Sequence, residues 1–323
     1  MPADNFPYDV VGELSESELP VIQPPATARE EHSEPGGYIQ PGALRELWFH
    51  TGTACNLACP FCLEGSKPGD NRLQRMMLAD VKPWIDEAAA LGVRQFSFTG
   101  GEPFIVKDIV DILRYASSFG PCLVLTNGTD PVIKRLREIE HLARQAHPVA
   151  FRISIDYTDR DRHDAARGRG SYEKSWWSLA ALHARGFRIS VARQSDPSED
   201  PCAVDAEFQR LFTEHRLPPD THIVSFPDFL PPGSDPGVQR ITERCMTNYH
   251  SEESRRSFMC YFSKMVVKKN GRMRVYACTL VDDDESFDLG GTLEESLGKR
   301  ILLRHHRCYS CFAFGSSCSE ILT

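Results

Sequence analysis

Short apolar runs alternate with amphipathic segments along most of the chain after Gln40. Six of the runs have the composition of buried strands, and apolar residues recur at helical spacing between them. The predicted strands are Leu47 to His50, Gln95 to Phe98, Cys122 to Leu125, Phe151 to Ile155, Phe187 to Ala192 and His222 to Phe226. This alternation predicts an α/β fold, a partial (β/α)6 TIM-like barrel with parallel strands.

The segments between these strands carry ordinary helix signals. Asp80 is the expected cap of a helix over Ala79 to Leu91, and Asp130 followed by a proline opens a helix that we expect to continue to about Gln145. The other predicted helices are Ile109 to Ser118, Tyr172 to Arg185 and Ala203 to His215.

The pattern changes in the last third of the chain. Two β-prone runs, Phe262 to Lys269 and Arg272 to Tyr276, flank Asn270-Gly271. This dipeptide is the strongest short signal for a tight hairpin, and a two-residue loop sets Lys269 opposite Arg272. We therefore expect a small C-terminal cysteine-rich domain, built on a β-hairpin with helical segments, after a proline-rich linker.

Charge separates the first residues from the rest. Residues 1 to 40 hold eight acidic side chains and one basic side chain, whereas the other 283 residues hold 37 acidic and 36 basic side chains. The predicted domains are an acidic, proline-rich flexible leader at 1–42, the partial barrel at 43–236 and the cysteine-rich domain at 237–323. The body lacks the basic excess of a nucleic-acid-binding protein.

No apolar stretch is long enough to cross a bilayer, and the first residues do not resemble a secretion signal. A soluble, cytoplasmic protein is expected, with no membrane partner. Eleven cysteines in such a chain indicate metal or redox chemistry instead of disulfides.

Three cysteines form a C-x3-C-x2-C motif after the first predicted strand: Cys55, Cys59 and Cys62. Three thiolates at this spacing can hold three irons of a cubane cluster and leave the fourth iron without a protein ligand. A zinc site would need a fourth cysteine or histidine, and His50 is the nearest candidate. The spacing favours the cluster over zinc or unligated thiols.

The motif, with Phe61 before its last cysteine, resembles that of the radical S-adenosylmethionine (radical SAM) enzymes. Further matches end successive strands: Gly100-Gly101-Glu102-Pro103, Thr126-Asn127-Gly128 and Ser154-Ile155-Asp156. A segment with His163-Asp164 and Arg167-Gly168 resembles one found in the branch with extra clusters. These matches cover roughly residues 45 to 195, and in a parallel barrel they would meet at one mouth.

The resemblance implies that the open iron binds S-adenosylmethionine, whose reductive cleavage gives methionine and a 5′-deoxyadenosyl radical. By position, the backbone at Phe61 would meet the adenine and Ser154 the ribose or carboxylate side. Gly100, Gly101 and Glu102 would meet the amino group. Arg167 would pair with the carboxylate, because its planar fork suits that group.

A second set of cysteines surrounds the predicted hairpin: Cys260, Cys278, Cys308, Cys311 and Cys318. In an ideal hairpin Cys278 falls opposite Ser263, so a bend or bulge is needed to bring Cys260 close. The arrangement resembles the Twitch form of the SPASM domain, which implies an auxiliary 4Fe-4S cluster and two clusters in total. A zinc ribbon remains an alternative, and either Cys311 or Cys318 could complete the site. His305 and His306 are expected on a solvated face.

The auxiliary cluster is expected to accept an electron, so the leading hypothesis is a net oxidation or rearrangement of a small natural-product metabolite. Asp156, at a strand end, is the preferred general base; Arg193, Gln194 and Asp228 are further candidates for substrate contact. The alternatives are peptide or protein maturation, sulfur insertion, or a cysteine-rich metal-binding adaptor. The enzyme would need a reductant such as flavodoxin or ferredoxin.

Overall fold

The computed structural model describes residues 34–315 and Ser319. The chain divides into Met1–Pro35 and Gly36–Thr323, and the description below concerns the second unit. Most of the predicted leader lies outside the described residues, as does Cys318.

The described residues contain these strands: β1 (Tyr38–Ile39), β2 (Glu46–His50), β3 (Gln95–Thr99), β4 (Cys122–Thr126), β5 (Val149–Ser154), β6 (Arg188–Gln194), β7 (His222–Phe226), β8 (Ser263–Lys269), β9 (Arg272–Tyr276), β10 (Asp288–Gly290) and β11 (Ile301–Leu302). Nine of them form one sheet in the order β10-β9-β8-β2-β3-β4-β5-β6-β7, and the short strands β1 and β11 pair with each other. The run β2 to β7 is parallel throughout, which confirms the predicted α/β class.

Helices follow most of the parallel strands, and shorter ones accompany the C-terminal strands. They are α1 (Leu78–Ala90), α2 (Ile109–Ala116), α3 (Asp130–Glu140), α4 (Arg160–Arg167), α5 (Ser171–His183), α6 (Pro201–Glu214), α7 (Glu243–Tyr249), α8 (Glu252–Arg256), α9 (Met259–Phe262), α10 (Leu293–Leu297) and α11 (His306–Phe314). Single 3-10 turns cover Pro103–Ile105, His141–Arg144 and Glu285–Phe287. In the part of the chain that the structure describes, no helix combines the length and apolarity needed to span a membrane.

The sheet is stable because its central strands bury both faces. Every residue of β2 is buried, and Phe49 stacks on Phe98 of β3 with ring centroids 5.4 Å apart. Helix α2 turns an apolar stripe onto the sheet, with Ile109 and Ile112 fully buried. A sheet covered in this way holds its strand ends, and the loops that follow them, in fixed positions.

The hairpin forms in the predicted register, with Lys269 opposite Arg272. Asn270 and Gly271 have φ of 52° and 73°, as the two central residues of a type I′ turn require. The hairpin continues the same sheet, because β8 pairs in parallel with β2 and places Ser263 beside Glu46. The hairpin that Cys260 and Cys278 flank is therefore an extension of the sheet that carries the first cysteine motif.

The helix boundaries differ from the sequence prediction by a few residues, and two of the differences have a clear local cause. Helix α1 has Met77 as its N-cap, and Asp80 lies in the first turn, where its carboxylate accepts a hydrogen bond of 2.8 Å from the Met77 backbone N–H. Asp80 thus caps the helix N-terminus from a position within the first turn. Helix α3 ends at Glu140 and is followed by the 3-10 turn His141–Arg144, so the α-helix stops short of Gln145.

Candidate active site

A cavity opens at the carboxyl ends of the parallel strands, as expected for the working face of such a sheet. Most of the residues singled out from the sequence line it: Cys55, Cys59, Phe61, Cys62, Gly100, Gly101, Ser154, Asp156, Arg167, Arg193, Gln194 and Asp228. Thr279 and Leu280, which follow Cys278, form part of the same wall. The first cysteine motif and the segment that follows Cys278 therefore border one cavity.

The first cysteine motif lies in the loop after β2, and hydrogen bonds hold it in shape. The Cys62 N–H donates to the Cys59 carbonyl over 3.1 Å, and the Leu57 N–H donates to Cys55 Sγ over 3.4 Å. Asn127, at the end of β4, donates to the Asn56 side chain over 3.0 Å. The loop after β4 thus braces the cysteine loop.

The three thiols suit an iron-sulfur cluster. They are half-buried and form no disulfide, and burial raises the pKa of each, that of Cys55 to about 12. A bare thiolate would be poorly solvated in this position, whereas bonding to iron would offset its charge. The donor set therefore fits a cluster with three protein ligands.

The paired glycines allow two loops to touch. A Cβ at Gly101 would lie 2.3 Å from the Ala54 carbonyl oxygen, and Gly100 has φ of +146°. Gly101 N–H donates to the Gly52 carbonyl over 2.9 Å, and the next residue bonds Ala54 in the same way. No side chain fits at position 101, so the loop after β3 fixes the cysteine loop through main-chain contact.

Glu102 is buried beneath the cavity wall, and its carboxylate is already engaged. It accepts hydrogen bonds from Thr126 Oγ1 at 2.7 and 2.8 Å, from Asn127 N–H at 2.9 Å and from Phe104 N–H at 3.0 Å. Burial raises the pKa of this carboxyl group, while these donors act in the opposite direction. In this structure Glu102 holds the loops after β3 and β4 together, and its direct contact with a ligand amino group stays a prediction.

Asp156 and Arg167 form an ion pair in the cavity wall. Arg167 Nε and Nη2 face the two carboxylate oxygens, the second at 3.3 Å, and the Gln194 N–H also donates to Asp156 over 3.3 Å. The guanidinium lies 5.5 Å from the centroid of the Phe61 ring. The pKa of Arg167 is raised by Asp156, so it remains a cation. The roles of Asp156 as base and of Arg167 as carboxylate ligand stay predictions.

Arg193 and Gln194, at the end of β6, leave polar atoms without partners. Within the described residues, Nε of Arg193 makes no hydrogen bond, and its Nη1 approaches Glu199 Oε2 only at 3.5 Å. The side-chain oxygen of Gln194 is likewise buried without a partner in this part of the chain. Arg193 is 4% exposed, and a buried arginine with spare donors in a cavity is suited to bind an anion.

The second cysteine group also comes together. Cys260 lies in α9, Cys278 follows β9, and Cys308 and Cys311 lie in α11. The short helix α9 supplies the bend that lets Cys260 approach Cys278. Burial raises the pKa of the Cys278 thiol well above its usual value, and the nearby thiols of Cys260, Cys308 and Cys311 add to this effect.

The spacing of the donor atoms does not select between a cluster and zinc at the second cysteine group. Four thiolates around zinc, with bonds of about 2.3 Å, would place their sulfurs about 3.8 Å apart. Across residues 34–315 the only group of three or more potential ligands with all donor atoms within 4.8 Å of one another is His50, Glu64 and Asp282. Cys318 lies outside the described residues, and the auxiliary cluster and the zinc ribbon both stay predictions.

The compact group at His50 is a buried ion network. Arg72 bonds Glu64 Oε2 over 2.8 Å and Asp282 Oδ2 over 2.9 Å, and His50 Nε2 lies 3.1 Å from the same Glu64 oxygen. The guanidinium supplies the positive charge that a metal would bring. Glu64 follows Cys62 and Asp282 follows Cys278, so the network joins the two cysteine regions. Asp282 lies 210 residues after Arg72 in the sequence, so no local spacing signals its part in the network.

The expectation of a solvated face at His305 and His306 is wrong. His305 is largely buried, with Nε2 3.2 Å from Asp283 Oδ1, and its Nδ1 accepts from the Arg307 N–H at the start of α11. Arg307 is 1% exposed, and its guanidinium bonds carbonyl oxygens of three separate segments. These hydrogen bonds to main-chain carbonyls explain why Arg307 is buried and why His305 beside it is largely buried.

Comparison with known proteins agrees with this geometry. The family model of the radical SAM superfamily matches residues 49–193. A probable GTP 3′,8-cyclase of Methanopyrus kandleri is 36% identical over 223 residues, covering 65% of this chain and 69% of that protein. The chain therefore belongs to the radical SAM superfamily of enzymes, and S-adenosylmethionine with a 4Fe-4S cluster is the cofactor set of that superfamily.

One further relative is named as a maturase, and one solved structure of similar fold contains a precursor peptide. The mycofactocin maturase MftC of Mycolicibacterium smegmatis is 29% identical over 173 residues, which cover 51% of this chain and 43% of that protein. The fold resembles Streptococcus suis SuiB bound to its precursor peptide SuiA, with a TM-score of 0.58 and 13% identity over 80% of this chain and 65% of that one. The matches span less than half the length of the first curated relatives.

Proposed function

We propose that this chain is a radical SAM enzyme that modifies a peptide or protein substrate, using a second iron-sulfur cluster at its C-terminal cysteines. Peptide or protein maturation is the alternative to a small metabolite in the sequence analysis, and the relative named as a mycofactocin maturase, with the similar fold of SuiB bound to a precursor peptide, favours it. The sheet offers a matching feature. Strand β7 is an edge strand and partly exposed, and its last residue, Phe226, lines the cavity.

An exposed edge beside a reactive cavity suits an extended chain. Within the described residues no strand pairs with the outer side of β7, so its main-chain groups can bond an added strand. A peptide held there would direct alternate side chains toward Phe226 and the cavity. This open edge is the observation that carries the proposal.

The residues that line the cavity would have different roles in the proposed reaction. Cys55, Cys59 and Cys62 would hold the cluster that binds S-adenosylmethionine, and Ser154 would meet the ribose or carboxylate side. The cluster and S-adenosylmethionine together supply a 5′-deoxyadenosyl radical that removes a hydrogen atom from substrate. Arg167, fixed by Asp156, would place its cation beside Phe61, where the adenine is expected.

The C-terminal cysteines would hold a 4Fe-4S cluster that accepts an electron from the substrate radical. Cys260, Cys278, Cys308 and Cys311 are the proposed ligands, which makes Cys318 unnecessary. A net oxidation would follow, with flavodoxin or ferredoxin as the proposed electron donor to the first cluster.

A small anionic metabolite is the second candidate substrate. Arg193 is a buried cation in the cavity wall, and some of its nitrogen atoms make no hydrogen bond within the described residues. The relative from Methanopyrus kandleri, which matches 223 residues, carries the name of an enzyme that acts on a nucleotide. The guanidinium of Arg193 would pair with a carboxylate or phosphate. In the peptide hypothesis the same residue would bind an acidic side chain.

The proposal is tested with protein purified and reconstituted without oxygen. We expect about eight irons per chain and, under a strong reductant, release of methionine and 5′-deoxyadenosine. Candidate precursor peptides and small metabolites, each fully deuterated, would then be compared for transfer of deuterium into 5′-deoxyadenosine. Transfer from metabolites alone would overturn the peptide assignment.

Two cysteine variants provide the matched comparison. Cys55→Ala should abolish S-adenosylmethionine cleavage, whereas Cys202→Ser, at an exposed position on α6, should leave cleavage and iron content unchanged. Wild-type protein that keeps its iron yet does not cleave S-adenosylmethionine would refute the proposed chemistry.

A further inference from the structure

A lysine is buried beside the second cysteine group. Lys264, in β8, is 0% exposed. Its ammonium donates hydrogen bonds to the carbonyl oxygen of Cys260 over 2.8 Å and to that of Ser263 over 3.0 Å. Both acceptors are neutral, and among the described residues no carboxylate oxygen lies within 4.0 Å of Lys264 Nζ.

Other cations in this part of the protein have anionic partners. Arg72 pairs with Glu64 and Asp282, and Lys268, on the same strand as Lys264, pairs with Asp80 over 2.6 Å. Lysine is almost never fully buried without a partner, because its charge loses hydration. Lys264 is therefore an exception that needs a compensating anion.

The cysteines are the groups able to supply that anion. The ammonium of Lys264 lies 2.8 Å from the carbonyl oxygen of Cys260, the first of these cysteines. Continuing the hairpin register one step past its last pair, Met265 and Tyr276, would place Lys264 at the level of Ala277, the residue before Cys278. The ammonium thus lies at the junction of the two ligand segments.

We propose that Lys264 is the counter-charge of an anionic four-thiolate iron-sulfur cluster at Cys260, Cys278, Cys308 and Cys311, and that it raises the reduction potential of this cluster. The inference rests on the second cluster of the proposed function. Reduction adds one electron to the cluster and neither forms nor breaks a bond. A fixed cation nearby favours the more negative, reduced form, so it would help the cluster to accept an electron from a substrate radical.

The test isolates the second cluster. A variant with Cys55, Cys59 and Cys62 all changed to alanine should retain about four irons, and its reduction can be followed by EPR at defined potentials. Adding Lys264→Met should lower the ratio of reduced to oxidised cluster about tenfold at a fixed potential, equivalent to ~59 mV for one electron. Lys264→Arg, which keeps the charge, should restore most of the ratio.

Controls separate charge from damage to the fold. Lys269→Met removes a cation from the same strand at the exposed end of the hairpin, where it pairs with Glu285, and should leave the potential unchanged. If Lys264→Met does not fold, Lys264→Gln keeps a donor without the charge and should show the same shift.

Each outcome has a distinct meaning. An unchanged potential in a folded, iron-loaded Lys264→Met or Lys264→Gln protein would overturn the inference and leave the proposed cluster standing. Zinc, or no metal, in the triple-alanine protein would overturn both the second cluster and the inference. Cleavage of S-adenosylmethionine by wild-type protein would still support the first site in that case.

Discussion

Arg307 should be among the largest single contributors to the stability of the active-site region. Its guanidinium donates to the carbonyls of Phe229 at 3.0 Å, Leu230 at 2.7 Å, Leu280 at 3.0 Å and Leu63 at 2.8 Å. These carbonyls belong to the linker after β7, the segment after Cys278 and the loop that carries Cys62. One side chain therefore joins three walls of the cavity.

Arg307→Met removes all four hydrogen bonds while keeping the apolar part of the side chain. Each buried carbonyl left without a donor costs about 1 to 3 kcal/mol. Water from the adjacent cavity can reach some of them, so the lower bound is appropriate and the expected loss is about 4 kcal/mol. For a domain of this size that corresponds to a fall in Tm of about 8 °C.

The assay is thermal unfolding of the anaerobically reconstituted protein, followed by far-UV circular dichroism. Arg307→Lys keeps the charge but presents one nitrogen in place of a planar fork, so it should lose about half as much. Arg304→Met is the matched control, because Arg304 is exposed and makes only one long hydrogen bond, of 3.4 Å, to Ser286. A Tm for Arg307→Met within about 2 °C of wild type would refute the reasoning.

Three further substitutions test other contacts. Gly101→Ala, whose Cβ would lie 2.3 Å from the Ala54 oxygen, should cut S-adenosylmethionine cleavage by about tenfold or more with loss of iron, whereas Gly298→Ala, in open space, should not. Burial lowers the pKa of His163 to about 4 from its unfolded value near 6.5. The lowered pKa contributes folding stability that is fully present above pH 6.5 and is lost as the pH falls toward 4. Between pH 7.5 and pH 5, the free energy of unfolding, measured by urea titration, should therefore fall by about 2 kcal/mol more in wild type than in His163→Phe. Equal losses in the two proteins would contradict this. Arg193→Met should leave the rate of S-adenosylmethionine cleavage within about twofold of wild type. It should lower the yield of modified substrate per 5′-deoxyadenosine, measured by mass spectrometry, at least about tenfold. An unchanged yield would exclude Arg193 from substrate binding.

Local sequence patterns predicted the features that depend on neighbouring residues. The six parallel strands follow from apolar runs and helix signals, and the register of the hairpin follows from Asn270-Gly271 alone. The strand-end motifs were expected to meet because parallel strands end at one edge of a sheet, and they line one cavity.

Features that depend on main-chain contacts between distant segments were not predictable in this way. Glu102 joins two loops by accepting from Phe104, Thr126 and Asn127, while its contact with a ligand amino group stays a prediction. His305 is predicted in solvent and is instead paired with Asp283. The loop after β4 reaches Glu102, and Asp283 reaches His305, only in the complete fold, so residue type and spacing carry no signal of these pairs.

The two cysteine regions are held at a fixed separation by two independent contacts. The first is the ion network in which Arg72 bonds Glu64 and Asp282, and the second is Arg307 with its carbonyl partners. Each contact reaches from the loop of Cys62 to the segment after Cys278. If the proposed clusters exchange electrons through a substrate in the cavity, their separation must be constant from one turnover to the next. A rigid double connection meets that need, and it predicts that loss of either contact disturbs both metal sites together.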